Sequence, residues 1–87
     1  IRKVAVCGGS GSSLLRDAIA CRADAFVTGD IKYHTWFDAD GSILLADCGH
    51  FESEKFSTEV LHDLLIKKFP TFALRFSETN TNPINYL

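Results

Sequence analysis

The sequence predicts an α/β protein: a three-layer-type arrangement around a mostly parallel sheet, in the order strand, helix, strand, helix, strand, helix, strand. Three observations predict it. Short apolar runs of strand length recur at residues 2–7, 23–27 and 42–46. Each is followed by a glycine-containing turn, and each turn opens into residues at helical spacing. In a parallel sheet such turns converge on one rim, where open α/β folds bind their ligands.

The first strand centres on Val4, Ala5 and Val6 and runs into Gly8-Gly9-Ser10-Gly11-Ser12-Ser13. Leu14, Leu15, Ala18 and Ile19 then recur at helical spacing, with Ser12 or Ser13 suited to the N-cap. A junction of this kind presents backbone N–H groups and a positive dipole end, and can hold an anion. A plain tight turn uses the same residues. There is no third glycine for a dinucleotide fingerprint and no Gly-Lys-Ser/Thr for a P-loop.

The second strand, 23–27, ends in Thr28-Gly29-Asp30, and 31–39 reads as a short helix with Ile31, Phe37 and either Trp36 or His34 facing inward. Asp30 and His34 stand four apart, a carboxylate–imidazole spacing. Separately, Asp30 suits an N-cap and His34 a partly buried helix position. Together at a strand's carboxyl end they form a candidate site.

The third strand, 42–46, turns at Asp47-Cys48-Gly49 and enters a helical pattern that continues to about Phe69. His50 and Glu54 lie on one face of that helix, about 6 Å apart at Cβ. An imidazole and a carboxylate so placed are half of a metal site or an acid/base pair; a solvated helix start with acids near the positive dipole end is the other reading. Cys48 reads as packed rather than ligating. Phe56, Val60, Leu61, Leu64, Leu65 and Phe69 make an apolar stripe, with His62 and Asp63 off it and solvated. Lys67 and Lys68 suit the last turn and Pro70 closes it. Residues 71–76 alternate Phe72, Leu74 and Phe76 with polar or small neighbours, the pattern of a fourth strand at an edge or antiparallel to its neighbour. A polar loop at 77–82 and an apolar tail at 83–87 follow.

Eighty-seven residues make one domain, near the lower end of independent stability. A net charge of −2 with nine scattered basic residues argues against a nucleic-acid partner. No apolar run approaches the roughly 20 residues of a membrane span. Cys7, Cys21 and Cys48, odd in number and far apart, fit reduced, mostly buried thiols of a cytosolic protein. The chain opens on Ile1 directly inside a strand-like run, as a piece of a longer protein would.

Four blocks recur in order: Val4-Ala5-Val6-Cys7-Gly8-Gly9-Ser10-Gly11, residues 23–34 with Thr28-Gly29-Asp30 and His34, Asp47-Cys48-Gly49-His50-Phe51-Glu52-Ser53-Glu54, and Asn82-Pro83. Over essentially the whole chain they resemble the C-terminal segment of the Nif-three-like dinuclear metal-centre proteins, also catalogued as GTP cyclohydrolase type two-like. The resemblance implies a cytoplasmic protein assembled as a toroidal homohexamer, a trimer of dimers. It implies two divalent metal ions per full-length subunit, with zinc, iron or manganese suited to such ligands. His50 and Glu54 match family metal ligands. Asp30 and His34 match positions lining the same cleft, as second-shell or substrate-contacting groups, and Gly9, Ser10 and Gly11 border it. The remaining family ligands lie in an N-terminal half that these residues do not contain, so the chain as it stands holds half a site. The implied activity is metal-dependent hydrolysis of GTP or another phosphorylated small molecule. A non-catalytic metal-binding ring or protein-interaction scaffold is the alternative.

Overall fold

Short apolar runs form the strands: Val4–Ser10 is β1, Ala25–Gly29 is β2 and Leu44–Asp47 is β3. The computed structural model describes residues 1–87, and in it the three strands form one parallel sheet in the order β1-β2-β3. Helix α1 (Leu15–Ala20) connects β1 to β2, and α2 (Tyr33–Ala39) connects β2 to β3. The α/β class and the parallel pairing therefore agree with the sequence reading.

Register sets the faces. Ala5, Phe26 and Leu45 stand side by side across the sheet. They pack into a core with Leu15 and Ala18 of α1, Ala23, Ala39 of α2, and Ile43. Both crossover helices thus cover one face. Phe26 is almost wholly buried, a burial that contributes about 1.5–3 kcal/mol. Across the other face run Val4, Ala25 and Leu44, then Val6, Val27 and Ala46. Val6 there is 75% exposed.

The chain forms two compact units, Ile1–Glu54 and Lys55–Leu87. The first holds the sheet and a short helix α3 (His50–Glu54); the second holds α4 (Ser57–Lys68). The continuous helix expected from His50 to about Phe69 is therefore two helices. A local competitor accompanies the break: the Ser53 hydroxyl donates to the His50 carbonyl at 2.8 Å, an interaction that bends helices.

Five further expectations are corrected. Residues 71–76 are not a strand, since nothing in their unit offers a ladder edge to pair with. The α4 stripe has no buried member. His62 is only partly solvated, because its ring stacks on Phe76 at 4.3 Å and the pair helps line a cleft of ≈ 190 Å³ with Leu61, Leu65 and Leu74. In α2 only Ala39 is buried, while Trp36, Phe37 and His34 are exposed and Ile31 precedes the helix. The cysteines are free, as expected, but Cys21 and Cys48 are exposed and Cys7 is half-buried. No helix is long and apolar enough to cross a membrane.

Candidate functional site

The three strand ends do meet on one rim, and glycines allow them to come close. Strand β1 slips register between Val6 and Ser10, so that several residues face a single step of β2. Such a bulge favours glycine, and Gly9 sits there with φ +63°, in the left-handed region. A Cβ at Gly9 would collide with Glu54 Oε1 and lie 3.2 Å from His50 Nε2. Gly29, at the end of β2, is pressed equally hard: a Cβ there would lie 2.8 Å from the His50 backbone nitrogen. Helix α3 therefore rests on two strand ends that carry no side chain.

The predicted pair His50 and Glu54 is formed, with Nε2 and Oε2 3.1 Å apart. The pairing of Asp30 with His34 is not. Asp30 adopts a left-handed conformation (φ 53°) ahead of α2, whose N-cap is Lys32. The turn swings its carboxylate to His50, where Oδ2 accepts from Nδ1 at 2.6 Å. His34 instead lies edge-on to Tyr33, at 5.4 Å between ring centroids. Sequence spacing could not find the Asp30–His50 pair, because the contact spans twenty residues and depends on one unusual backbone angle.

Around this cluster the backbone is pinned. Ser53 accepts the Gly9 N–H at 2.8 Å while donating to the His50 carbonyl. Thr28, fully buried, accepts the Gly11 N–H at 2.8 Å and donates to the Gly9 carbonyl at 3.1 Å. Two N–H groups of the glycine-rich turn are thus committed inside the protein. Of the two readings of this turn, these bonds favour the tight turn over the anion cradle, and Ser10 is an exposed strand residue. The expected serine N-cap is absent too: Gly11 caps a 3₁₀ turn, Ser12–Leu14, without any side-chain bond. Ser12 instead donates to the Asp30 carbonyl at 3.4 Å. Cys48 directs its thiol at the Thr28 carbonyl, 3.3 Å away.

Electrostatics follow from this geometry. Since a carboxylate only accepts, His50 Nδ1 carries the proton that reaches Asp30. Neutral His50 would then face the Glu54 carboxylate with the bare lone pair of Nε2, and two acceptors at 3.1 Å repel. A positive charge between them resolves the conflict, whether a proton or a metal ion. The Asp30 hydrogen bond raises the His50 pKa above 6.5, aided by the charges of Asp30 and Glu54 and opposed by partial desolvation. Both side chains of the Asp30 pair are about half exposed, so solvent screens the effect. No group of three or more His, Cys, Asp or Glu within the chain is arranged to hold a metal ion.

A parallel α/β unit that gathers an imidazole and two carboxylates at its strand ends belongs to the broad class whose ligands sit on the carboxyl rim of the sheet. A family profile described as Duf34/NIF3 (NGG1p interacting factor 3) matches residues 1–83, and the chain belongs to that family. It is 40% identical over 93 aligned positions to a Streptococcus pneumoniae protein named GTP cyclohydrolase 1 type 2 homolog, covering 100% of this chain and 34% of that protein. A Staphylococcus epidermidis protein of the same name is 43% identical, covering 99% of this chain and 25% of its own length. Among solved structures, a Staphylococcus aureus protein superposes with a TM-score of 0.85 at 37% identity, covering 97% of this chain and 29% of that one. The chain therefore spans about a third or less of the length of these relatives.

Proposed function

We propose that this chain supplies one wall of a divalent-metal centre, with His50 through Nε2 and Glu54 through its carboxylate as ligands. The observation that carries the reading is the opposed pair itself. Nε2 and Oε2 stand 3.1 Å apart while Nδ1 is held by Asp30, a donor set that calls for a cation. A carboxylate behind a ligating imidazole is the usual support of such a histidine. Gly9 fits the same purpose, since its missing side chain keeps the space beside Glu54 Oε1 and His50 Nε2 open. Imidazole and carboxylate suit zinc, iron or manganese, two ions per full-length subunit being the family expectation. The remaining ligands belong to the part of the relatives' length that this chain does not span.

When bound, a divalent ion pair supplies a water of lowered pKa and a clamp for a phosphate or carbonyl oxygen, the chemistry of metal-assisted hydrolysis. The chain's own residues do the rest. Asp30 holds the His50 ring and its Nδ1 proton, while Ser53 and Gly9 fix α3 against β1. Hydrolysis of GTP or another phosphorylated small molecule is the activity this reading favours, consistent with the name of the relatives. Free Cys7, Cys21 and Cys48 suit a cytoplasmic setting.

A second reading, a non-catalytic ring or interaction scaffold such as the family's description suggests, draws on one observation. Val60, Leu61 and Leu64 of α4 are each more than half exposed, a surface that suits assembly, a homohexamer being the family expectation. Elemental analysis of the full-length protein, unmodified and as His50→Ala and Glu54→Gln, tests the metal reading. Near two divalent ions per subunit, with clear loss in both variants, is the expected result. Metal-free unmodified protein refutes it, and turnover that survives a chelator refutes the hydrolytic form.

A further inference from the structure

We infer that Asp47, a residue the site reading does not use, is a positioning residue that ties together the two loops carrying Asp30 and His50. Asp47 ends β3 in register with Thr28 of β2. Its two carboxylate oxygens point to different loops. Oδ2 accepts the N–H of Ile31 at 2.8 Å, and Oδ1 accepts the N–H of Gly49 at 2.9 Å. Ile31 follows Asp30 directly and Gly49 directly precedes His50.

The tie matters because the pair it serves is weak by itself. An exposed carboxylate–imidazole contact contributes little when both side chains must be ordered to make it. Asp30 also occupies a left-handed conformation that a non-glycine residue holds only when its surroundings impose it. Beyond the ladder, one backbone bond, Cys48 N–H to the Thr28 carbonyl at 2.9 Å, joins the two strand ends below the loops. The Asp47 carboxylate extends that link by one layer, with two charge-assisted bonds to adjacent-loop amides. It thereby sets the distance between the Cα of Asp30 and that of His50 before either side chain is ordered. The Nδ1–Oδ2 contact of 2.6 Å follows from this pre-organisation.

The consequence for a metal ion rests on the reading proposed above; the loop tie does not, and the test separates them. In the intact protein stripped of metal, heteronuclear NMR reads the His50 ring directly, with His34 and His62 as internal references. The unmodified protein should give a His50 Nδ1–H proton in slow exchange with water. Amide exchange at Ile31 and Gly49 should be slowed about tenfold or more, the factor one charge-assisted hydrogen bond supplies. In Asp47→Ala the Nδ1–H signature should be lost and both amides freed. In Asp47→Asn, where the amide oxygen can accept only one of the two N–H groups well, protection at one amide should survive, with a weakened ring signal.

A folded Asp47→Ala with an unchanged His50 signature overturns the tie. Should that variant fail to fold, the unmodified protein still decides: free-loop exchange at Ile31 overturns the inference, and joint protection with partial loss in Asp47→Asn supports it. Zinc titration of the same proteins then reads the consequence, an expected loss of about tenfold or more in affinity for Asp47→Ala. Unmodified protein that binds no zinc removes the metal reading and leaves the tie standing on the ring signature.

Discussion

Asp30 and His50, twenty residues apart in the chain, meet with Oδ2 and Nδ1 2.6 Å apart at the carboxyl ends of β2 and β3. The contact leaves the other ring nitrogen facing Glu54, so one imidazole stands between two carboxylates. Charge, hydrogen bonding and backbone strain all meet at this point.

The first prediction concerns pH. His50 has a folded-state pKa raised above 6.5, chiefly by the Asp30 hydrogen bond. A raised pKa means that this group's contribution to stability is fully present below pH 6.5 and disappears as pH rises through the folded value. In metal-free protein, Asp30→Asn should lower the His50 midpoint toward its ordinary value and flatten that part of the stability profile. Following the His50 ring proton against pH by NMR measures the midpoint; an unshifted midpoint would show that the Asp30 contact is not made in solution.

Asp24 predicts the opposite slope. Its Oδ2 accepts the N–H groups of Arg2 at 2.6 Å and Lys3 at 2.8 Å, and these bonds, Arg2 first, hold its pKa below 3.8. A depressed pKa contributes stability that is present above pH 3.8 and is lost as pH falls through the folded value. Asp24→Asn should therefore destabilise the protein at neutral pH and reduce the loss of stability in acid. Urea midpoints at pH 7 and below pH 3.8 check both halves.

Thr28→Val keeps the shape of a fully buried side chain and removes its hydroxyl. The Gly11 N–H and the Gly9 carbonyl then lose their partner. Stranding buried polar groups in this way costs about 1–3 kcal/mol. Thr28→Ser, which keeps both bonds, should cost less than Thr28→Val by urea denaturation. Equal costs would mean that the methyl group matters and the hydrogen bonds do not.

Gly9→Ala tests the close approach of β1 to α3. The substitution puts a side chain on a left-handed residue and drives a Cβ into the Glu54 carboxylate. Backbone strain of this kind costs about 1–3 kcal/mol. A lower melting temperature is expected, together with displacement of Glu54 seen in a crystal structure of the variant. Full stability with Glu54 unmoved contradicts this packing.

Much of this architecture was legible in the residues alone. Apolar runs of strand length, each closed by glycine and followed by helical spacing, specified a parallel α/β unit because side-chain periodicity is a local property. The His50–Glu54 pair was legible for the same reason: four residues apart on a helix places two side chains on one face whatever surrounds them. The four sequence blocks carried the family.

Tertiary structure alone decided which partners those residues take. Asp30 turned from His34 to His50 because one left-handed residue and a neighbouring loop redirected its carboxylate. The glycine-rich turn gave its Gly9 and Gly11 N–H groups to Ser53 and Thr28, side chains that no spacing connects to it. Residues 71–76 alternate like a strand but have no edge to pair with in their unit, and the long helical pattern from His50 divides between Glu54 and Ser57. In the first three cases the local pattern offered a conformation or a pairing, and contacts between residues distant in the chain, or their absence, determined which one was used; the helix break is accompanied by a local bond instead, from Ser53 to the His50 carbonyl.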